Sequence, residues 1–355
     1  MIAPPIPIVA GRNLRVIRAD GNSVVASRGS SLYRFAHGLG RWERILHQPS
    51  RRFAELSLRW HLWRRLFRSD IVAMCTASDG SIVCVGHKLI LRASPGSKEL
   101  SPVFRVVRGS RPLSITSAGG VLYWGEYFGN AARREVLVYG SRDNGRSWYP
   151  AYVFPARSIR HIHRILFDEE RQRIWLLTGD RDSESRVLWT DDHFATIHVA
   201  CEGSQQTRTL VAIPVPHGII WGTDIPDGRN HIYLLRDDGT IRTLAELEGP
   251  SFYAARAGEF VLLSTAVEPS RINATGRATV MVAQLSDLDD WRMLLCARKD
   301  AWPMKLFQYG NVVLPEGTGE EVWASGLSVK GGDAVVWRWD LAALRAYFAA
   351  ARGET

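Results

Sequence analysis

Two histidines separated by a single residue, His161 and His163, are the strongest chemical signal in this sequence. Residues two apart on a β-strand point to the same side, so both imidazoles can share a metal ion or act as a base and an electrophile. A metal would also need a carboxylate, and Asp180, at the end of the next predicted strand, is the nearest one. The alternative is a pair of hydrogen-bonded histidines. We expect no required cofactor, with a divalent metal at His161, His163 and Asp180 as an option.

Acidic residues recur where predicted strands end. Asp180, Asp224 and Glu268 occupy equivalent places in successive repeats, where they can act in catalysis or cap neighbouring strands. Glu126 and Tyr127 can supply a general acid, or a tyrosine nucleophile that the glutamate activates. Their structural alternative is a salt-bridged Glu126 beside a tyrosine on a strand edge.

Arginines can hold an anionic substrate. Arg111, Arg134 and Arg208 are candidates for a clamp that binds a carboxylate or phosphate through paired hydrogen bonds, and ion pairs between repeats are the alternative. Tryptophan is abundant, and its rings either fill cores or stack on sugars. The other predicted substrate contacts are Gln205, Asn230, Lys299, Trp124 and Trp221.

The elements that must position these residues repeat along the chain. Seven apolar runs, each ending in small or acidic residues, recur every 40 to 60 residues, at 23–26, 82–85, 121–124, 174–177, 219–222, 260–263 and 312–314. A period of this length predicts the blades of a β-propeller. We therefore expect an all-β, seven-bladed propeller in which residues 1–355 form one domain. In a propeller, the loops between second and third strands lie on the same face as the connections between blades. We therefore expect this loop parity to bring the candidate site residues together at one opening of the ring.

Two segments break the repeat. Residues 51–68 carry aromatic side chains at helical spacing among six arginines, which predicts a basic amphipathic helix inserted between the first two blades. This helix either packs on the rim or makes a peripheral contact with anionic lipid. Residues 340–352 are rich in alanine and predict a C-terminal helix.

Composition narrows the partners. The net charge of +9 favours anionic partners. The scattered arginines match no nucleic-acid-binding motif, and the four cysteines contain no C-x-x-C pair of a structural zinc site. A disulfide between Cys75 and Cys84 is possible in an oxidising compartment. Because the first residues lack a signal-peptide pattern, we expect a cytoplasmic protein, with inner-membrane contact as an option.

One motif resembles a known family. The run Ser-Arg-Asp-Asn-Gly-Arg-Ser-Trp at 141–148 matches the Asp-box, S-x-D-x-G-x-[ST]-W, and two degenerate copies lie at 189–194 and 285–291. The chain thus resembles the sialidase-like, BNR-repeat propellers, in the branch associated with bacterial surface polysaccharides. It lacks their arginine triad and Arg-Ile-Pro-type motif, so the resemblance implies the architecture without sialic-acid chemistry. The paired histidines and the tyrosine are more distantly similar to propeller polysaccharide lyases.

These signals together predict an enzyme that cleaves glycosidic bonds in an acidic bacterial oligosaccharide or polysaccharide, as a glycoside hydrolase or a polysaccharide lyase. In the lyase form, Arg111 or Arg208 neutralises a uronate, a histidine takes the C5 proton, and Tyr127 or the second histidine protonates the leaving oxygen. In the hydrolase form, two of the carboxylates act as acid and base. The alternatives are a cytoplasmic glycosyltransferase or glycan-assembly enzyme, and a non-catalytic glycan-binding scaffold.

Overall fold

The computed structural model describes residues 3–49, 60–268, 270, 272 and 274–352. Antiparallel strands dominate, and five four-stranded sheets follow one another along the chain, each with its strands paired in chain order. We call these sheets blades 1 to 5. Blade 1 contains β2 (Arg15–Asp20), β3 (Ser23–Arg28), β4 (Ser31–Ala36) and β5 (Arg41–His47). Blade 2 contains β6 (Ala73–Thr76), β7 (Ile82–Gly86), β8 (Leu89–Ala93) and β9 (Ser101–Arg105). Blade 3 contains β10 (Thr116–Ala118), β11 (Val121–Gly125), β12 (Val136–Ser141) and β13 (Tyr149–Phe154). Blade 4 contains β14 (His161–Asp168), β15 (Arg173–Gly179), β16 (Arg186–Thr190) and β17 (His198–Glu202). Blade 5 contains β18 (Thr209–Val215), β19 (Gly218–Thr223), β20 (Asn230–Arg236) and β21 (Ile241–Leu247).

The remaining strands form one nine-stranded sheet. They are β1 (Ile8–Arg12), β22 (Ser251–Ala257), β23 (Phe260–Val267), β24 (Arg277–Gln284), β25 (Asp287–Arg298), β26 (Gly310–Val313), β27 (Thr318–Gly319), β28 (Val322–Leu327) and β29 (Val335–Trp339). The first residues of β23 pair with β24, whereas Ala266 and Val267 at its end pair with β26. This switch of partner joins the strands on either side of it into a single sheet.

The prediction of seven separate blades is therefore wrong, because five four-stranded blades are present beside the nine-stranded sheet. Six of the apolar runs lie in the second strand of a consecutive antiparallel series, but the run at 312–314 begins in β26, which pairs with β23 and β28. The all-β class holds. Each innermost strand contacts the next innermost strand along the chain, and the last of them contacts the first, so the sheets surround a central axis. The innermost strands are β2, β6, β10, β14, β18, β22 and β26.

Cores of buried aliphatic and aromatic side chains fill the spaces between neighbouring sheets. One core joins Leu122 and Trp124 of β11 to Val83 and Ile90 of the preceding blade. Near-continuous apolar strands are expected where both faces of a sheet are covered. Cys75 and Cys84 are free, buried thiols, and Cys84 lies opposite Met74 rather than Cys75.

The described residues contain three α-helices: α1 (His61–Phe67), α2 (Met304–Phe307) and α3 (Leu341–Arg352). The predicted C-terminal helix is confirmed as α3, which packs Leu344 and Phe348 into the core of the nine-stranded sheet. The described part of the predicted 51–68 helix is α1, and residues 50–59 lie outside the described residues. No helix in the described ranges is both long and apolar enough to span a membrane.

Helix α1 directs arginines, rather than aromatic side chains, toward the protein interior. Arg64 and Arg65 are buried, and Arg65 donates hydrogen bonds to Asp300 and Asp333 at 2.6 and 2.7 Å. Trp63 and Phe67 are instead 47% and 57% exposed and stack on each other. The buried guanidinium groups face inward because distant carboxylates neutralise them, as buried charges require. Membrane contact through 51–68 stays a prediction.

Candidate active site

A cavity of about 600 Å³ opens at the centre of the ring of sheets. Its wall is built from the innermost strands, and polar residues from strand ends line the rest of it. Seven predicted site residues line this one cavity: Arg111, Tyr127, His161, His163, Asp180, Arg208, Asp224. An eighth, Glu268, lines it too. His161 and His163 lie in β14, and the other six residues come from six different blade junctions or loops between second and third strands, so the loop parity brings them together.

Backbone bulges direct side chains into this cavity. Four innermost strands, β2, β14, β18 and β22, each contain a shift of register at one residue. The residues at the shifts are Ile17, His163, Leu210 and Phe252, and all four line the cavity. A bulge inserts an extra residue into a strand and re-aims its side chain. In β14 the re-aimed residue is His163.

The two histidines face each other. Their Nε2 atoms are 3.0 Å apart, and both rings are almost completely buried. The Nδ1 of His161 lies 3.0 Å from the carbonyl oxygen of Phe128, and the Nδ1 of His163 lies 2.8 Å from that of Thr209. A carbonyl oxygen only accepts hydrogen bonds, so each Nδ1 must carry the proton.

Asp180 completes this group. Its Oδ1 lies 3.4 Å from the Nε2 of His161 and 3.3 Å from the Nε2 of His163. Its Oδ2 accepts a hydrogen bond from Arg160 at 2.5 Å. Burial opposes the charged form of Asp180, but the two histidines outweigh burial when their Nε2 atoms carry protons, and they then hold the pKa of this carboxyl well below its usual range. The ion pair with Arg160 likewise favours the ionised form of Asp180.

Asp224 and Glu268 behave in the opposite way. Burial raises the pKa of Asp224 to about 8 and also raises the pKa of Glu268. The Nε of Arg208 lies 3.4 Å from Asp224, which favours the ionised form, yet Glu268 and Asp180 repel that charge and reinforce the effect of burial. One ionised and one protonated aspartate thus face the same cavity.

Tyr127 covers the histidines from one side. Its ring centroid lies 4.3 Å from that of His161 and 6.1 Å from that of His163. Burial, with the three nearby carboxylates, raises the pKa of Tyr127 to about 12. The hydroxyl therefore stays protonated at neutral pH, where it can donate a hydrogen bond but is a poor nucleophile.

Another part of the cavity wall carries arginines without acidic partners. Arg111 lies near Arg15 and Arg68, and burial, reinforced by the charges of both, lowers the pKa of Arg111 to about 10. Arg15 donates to the hydroxyl of Tyr253 at 3.0 Å, and Arg111 donates to the carbonyl of Arg68 at 3.1 Å. Among the described residues, none of these three guanidinium groups forms an ion pair. We call Arg15, Arg68 and Arg111 the arginine wall.

Some predicted residues lie away from the cavity in structural positions. Glu126 is 3% exposed and accepts hydrogen bonds from Arg108 and from the backbone NH of Leu137. Arg134 is exposed and outside the cavity lining. Lys299 binds the carboxylate of Asp300 next to it in the chain. The ion pair between Glu126 and Arg108 is the structural alternative that the sequence analysis gave for Glu126.

The other four serve the framework. Trp124 and Trp221 are fully buried between sheets, so neither ring is available to a sugar. Asn230 is buried and uses its amide to hold the backbone of Ile225. Gln205 donates to the carbonyl of Asp180 and lies in a shallow depression beside the cavity.

The sequence analysis missed Arg15, Arg68 and Arg160. No motif contains these three residues. Arg160 precedes His161 directly, and a basic residue beside the histidine pair was the one available signal. Arg15 and Arg68 belong to β2 and to the end of α1, so only the closed arrangement of sheets brings them beside Arg111.

The segment at 141–148, which resembles an Asp-box in sequence, forms a hydrogen-bonded turn. Asp143 accepts hydrogen bonds from the backbone NH groups of Arg146 and Ser147 at 3.0 and 2.9 Å, and Gly145 has a φ of +82°. The equivalent turn of blade 4 repeats this pattern, because Asp192 accepts from the NH of Thr196 at 2.9 Å. Both turns lie between third and fourth strands, away from the cavity lining.

Solved structures with similar backbones share this architecture. YCF48 bound to D1 peptide is matched over 96% of this chain and 98% of that chain, with a TM-score of 0.58 and 12% identity. The β-propeller domain of Cps50 (Swd1) from Myceliophteria thermophila is matched over 94% and 99%, with a TM-score of 0.58 and 8% identity. The fold is a β-propeller. At these identities the likeness shows the fold alone.

Enzymes and WD40 domains both occur among the similar propellers. The GH74 enzyme of Niastella koreensis has a TM-score of 0.52 and 13% identity; the match covers 80% of this chain and 45% of the enzyme. The WD40 propeller domain of Doa1 has a TM-score of 0.57 and 10% identity. No protein family model and no curated protein matches the sequence, so the sialidase-like resemblance has no family support. Because this fold hosts many functions, function must be argued from the cavity.

Proposed function

We propose that this propeller is a carbohydrate-active enzyme that cleaves glycosidic bonds of an anionic glycan in its central cavity. The supporting observation is that arginines without an ion pair among the described residues line the same cavity as buried carboxylates with opposite pKa shifts. A volume of about 600 Å³ is in the range of sites that bind small organic ligands.

The arginine wall supports an anionic substrate. Three neighbouring guanidinium groups without carboxylate partners repel one another, and an incoming carboxylate or sulfate relieves that repulsion. The planar guanidinium also forms paired hydrogen bonds with a carboxylate. Arg111 is the central member of this wall, in the role that the sequence analysis gave it, whereas Arg208 is occupied by Asp180 and Asp224.

Hydrolysis is supported over elimination. Asp224, with a pKa of about 8, is protonated at neutral pH and can donate to the leaving oxygen. The raised pKa of Glu268 suits a general base that activates water. The histidines are less suited to removing a sugar proton, because both direct their Nε2 atoms at each other and at Asp180.

Exposed aromatic side chains on elements that adjoin the cavity support a sugar ligand. Arg68 of the arginine wall directly follows α1, whose Trp63 and Phe67 are exposed and stacked with their rings nearly parallel. Trp302, 47% exposed, precedes α2, which contacts α1. Exposed aromatic faces suit the C–H groups of pyranose rings.

The decisive test is incubation with a panel of acidic glycans, following both new reducing ends and the absorbance of unsaturated uronates. We expect reducing ends without that absorbance. Both signals together would indicate elimination. Products in neither assay, with binding of the same glycans retained, would replace the enzyme by a glycan-binding propeller, and turnover of an activated sugar would favour the transferase.

A further inference from the structure

The group formed by His161, His163 and Asp180 has a chemical feature that catalysis by the carboxylates does not use. Both Nδ1 atoms donate to backbone carbonyl oxygens, so in the neutral rings both Nε2 atoms carry lone pairs. The two Nε2 atoms lie 3.0 Å apart, and they lie 3.4 and 3.3 Å from the Oδ1 of Asp180. Three electron-pair donors that face one another in a buried place repel unless a cation lies between them.

We propose that this group binds a divalent transition-metal ion, with the Nε2 atoms of His161 and His163 and the Oδ1 of Asp180 as its protein ligands. The inference is independent of the glycan proposal, since it depends only on the arrangement of these three atoms. Two imidazoles and one carboxylate form a donor set that suits zinc and iron, with further positions left for water or substrate.

The distances fit such an ion. In a triangle with sides of 3.0, 3.3 and 3.4 Å, the point equidistant from the three atoms lies about 1.9 Å from each of them. Zinc binds histidine nitrogen and carboxylate oxygen at about 2.0–2.2 Å. A zinc ion therefore fits just outside the plane of the three atoms, without movement of the ligands.

The surroundings are those of a formed metal site. Ligating histidines usually donate their second ring NH to a carbonyl or carboxylate, which fixes the ring, and Phe128 and Thr209 supply those carbonyls here. Arg160 holds the second oxygen of Asp180, leaving Oδ1 for the ion. Gly179 makes room for His163, because a Cβ on Gly179 would lie 2.6 Å from the Cε1 of that ring.

Charged side chains of both signs lie next to the three proposed ligands. The carboxylates of Asp180, Asp224 and Glu268 act on one another through their charges, and Arg208 contacts two of them. Arg160 contacts only Asp180 within the described residues. Because Asp224 is protonated at neutral pH, the ionised carboxylates do not outnumber these two arginines, and binding of a cation depends on the three donor atoms themselves.

Zinc binding to the full chain tests the proposal. After treatment with EDTA and removal of the chelator, the wild type should bind one equivalent of Zn²⁺ and melt at a higher temperature with it. Asp180→Asn and His163→Gln should each lower zinc affinity by more than about 100-fold, since changes outside the ligand set alone cost 10–100-fold. His217→Asn, which changes an exposed histidine, should match the wild type.

Two further measurements make the outcome independent of any variant that fails to fold. Co²⁺ added to the wild type should give the visible absorption of an imidazole-ligated ion, and Zn²⁺ should abolish it. Gly179→Ala retains all three ligands but displaces His163, so it should weaken zinc binding while the protein remains folded. If the wild type binds no zinc, or binds it as tightly after Asp180→Asn, a shared proton holds the histidines and the metal site is refuted.

Discussion

Asp143 and Asp180 are two aspartates whose pKa values both lie below the ordinary range, yet their partners differ in kind. The pKa of Asp143 is about 2, because hydroxyl and NH groups of Ser141, Arg146 and Ser147 within the same turn outweigh its burial. The histidines of β14 outweigh the burial of Asp180 and lower its pKa when their Nε2 atoms carry protons. Every partner of Asp143 donates from a neutral group, whereas an imidazole whose Nδ1 already donates offers Asp180 a lone pair unless the ring gains a second proton.

This difference separates a structural aspartate from a candidate functional one. The Asp143 turn is complete by itself, since its own residues satisfy the carboxylate. The Asp180 group brings three donor atoms of different residues together and lies in a cavity with Asp224 and the arginine wall. A low pKa alone therefore does not identify a site. The predictions below separate the two regions, and they run from the largest expected effect to the smallest.

Asp224→Asn should lower kcat by about 100- to 10,000-fold on the glycan that the panel identifies, because the variant cannot donate a proton. In the wild type, activity should fall as the pH rises through about 8, where Asp224 loses its proton. The pH profile of kcat checks both statements. Full activity in Asp224→Asn would remove this residue from the reaction.

Arg111→Gln should raise KM for an anionic glycan by about 10- to 100-fold, since a charge-assisted hydrogen bond contributes about 1.5–3 kcal/mol. Arg134→Gln is the matched control, because Arg134 is exposed and lies outside the cavity lining. Steady-state kinetics or calorimetric binding measures the effect. Equal effects of the two substitutions would mean that general surface charge, rather than the arginine wall, attracts the substrate.

Asp143→Ala should lower the free energy of unfolding by about 1–2 kcal/mol, because the turn loses an acceptor of several hydrogen bonds. Activity and zinc binding should stay at wild-type levels, since the turn lies away from the cavity. Urea unfolding and the zinc assay check the two halves of this prediction. A loss of activity in the folded variant would break the contrast between Asp143 and Asp180.

Asp224 should also make the free energy of unfolding depend on pH. Between its unfolded pKa near 4 and its folded pKa of about 8, the folded protein holds a proton that the unfolded chain releases, so stability falls as the pH rises through that window. The slope from this group is at most about 1.4 kcal/mol per pH unit. Urea unfolding of EDTA-treated wild type and Asp224→Asn should differ by this slope, and identical slopes would contradict the buried, protonated aspartate.

Local spacing made part of this molecule predictable. The partners of Asp143 in the turn at 141–148 all lie within eight residues, and the repeat of apolar runs indicated a propeller. Loop parity required only the order of strands, and it was enough to predict that His161, Asp180 and Asp224 approach one another. The cavity lining contains all three.

Other features depend on contacts between distant segments. The pairing of Ala266 with Asn311, which produces the nine-stranded sheet, depends on where β23 ends relative to β26, and no residue type encodes that choice. The inward direction of Arg65 depends on Asp300 and Asp333, far along the chain, whereas helical periodicity alone favours burial of aromatic residues. The re-aimed His163 required a bulge that alternation does not reveal.

The pairing of β1 with β29 joins two strands that are far apart in the sequence, with Ile8 opposite Arg338. During synthesis, this ladder cannot form until Val335–Trp339 has left the ribosome, so the ring stays unsealed until then. Before the two strands pair, the edge of β29 that receives β1 is open to other strands. A β1 from a second copy offers the same hydrogen-bonding groups, so crowded nascent chains are exposed to strand exchange at this seam.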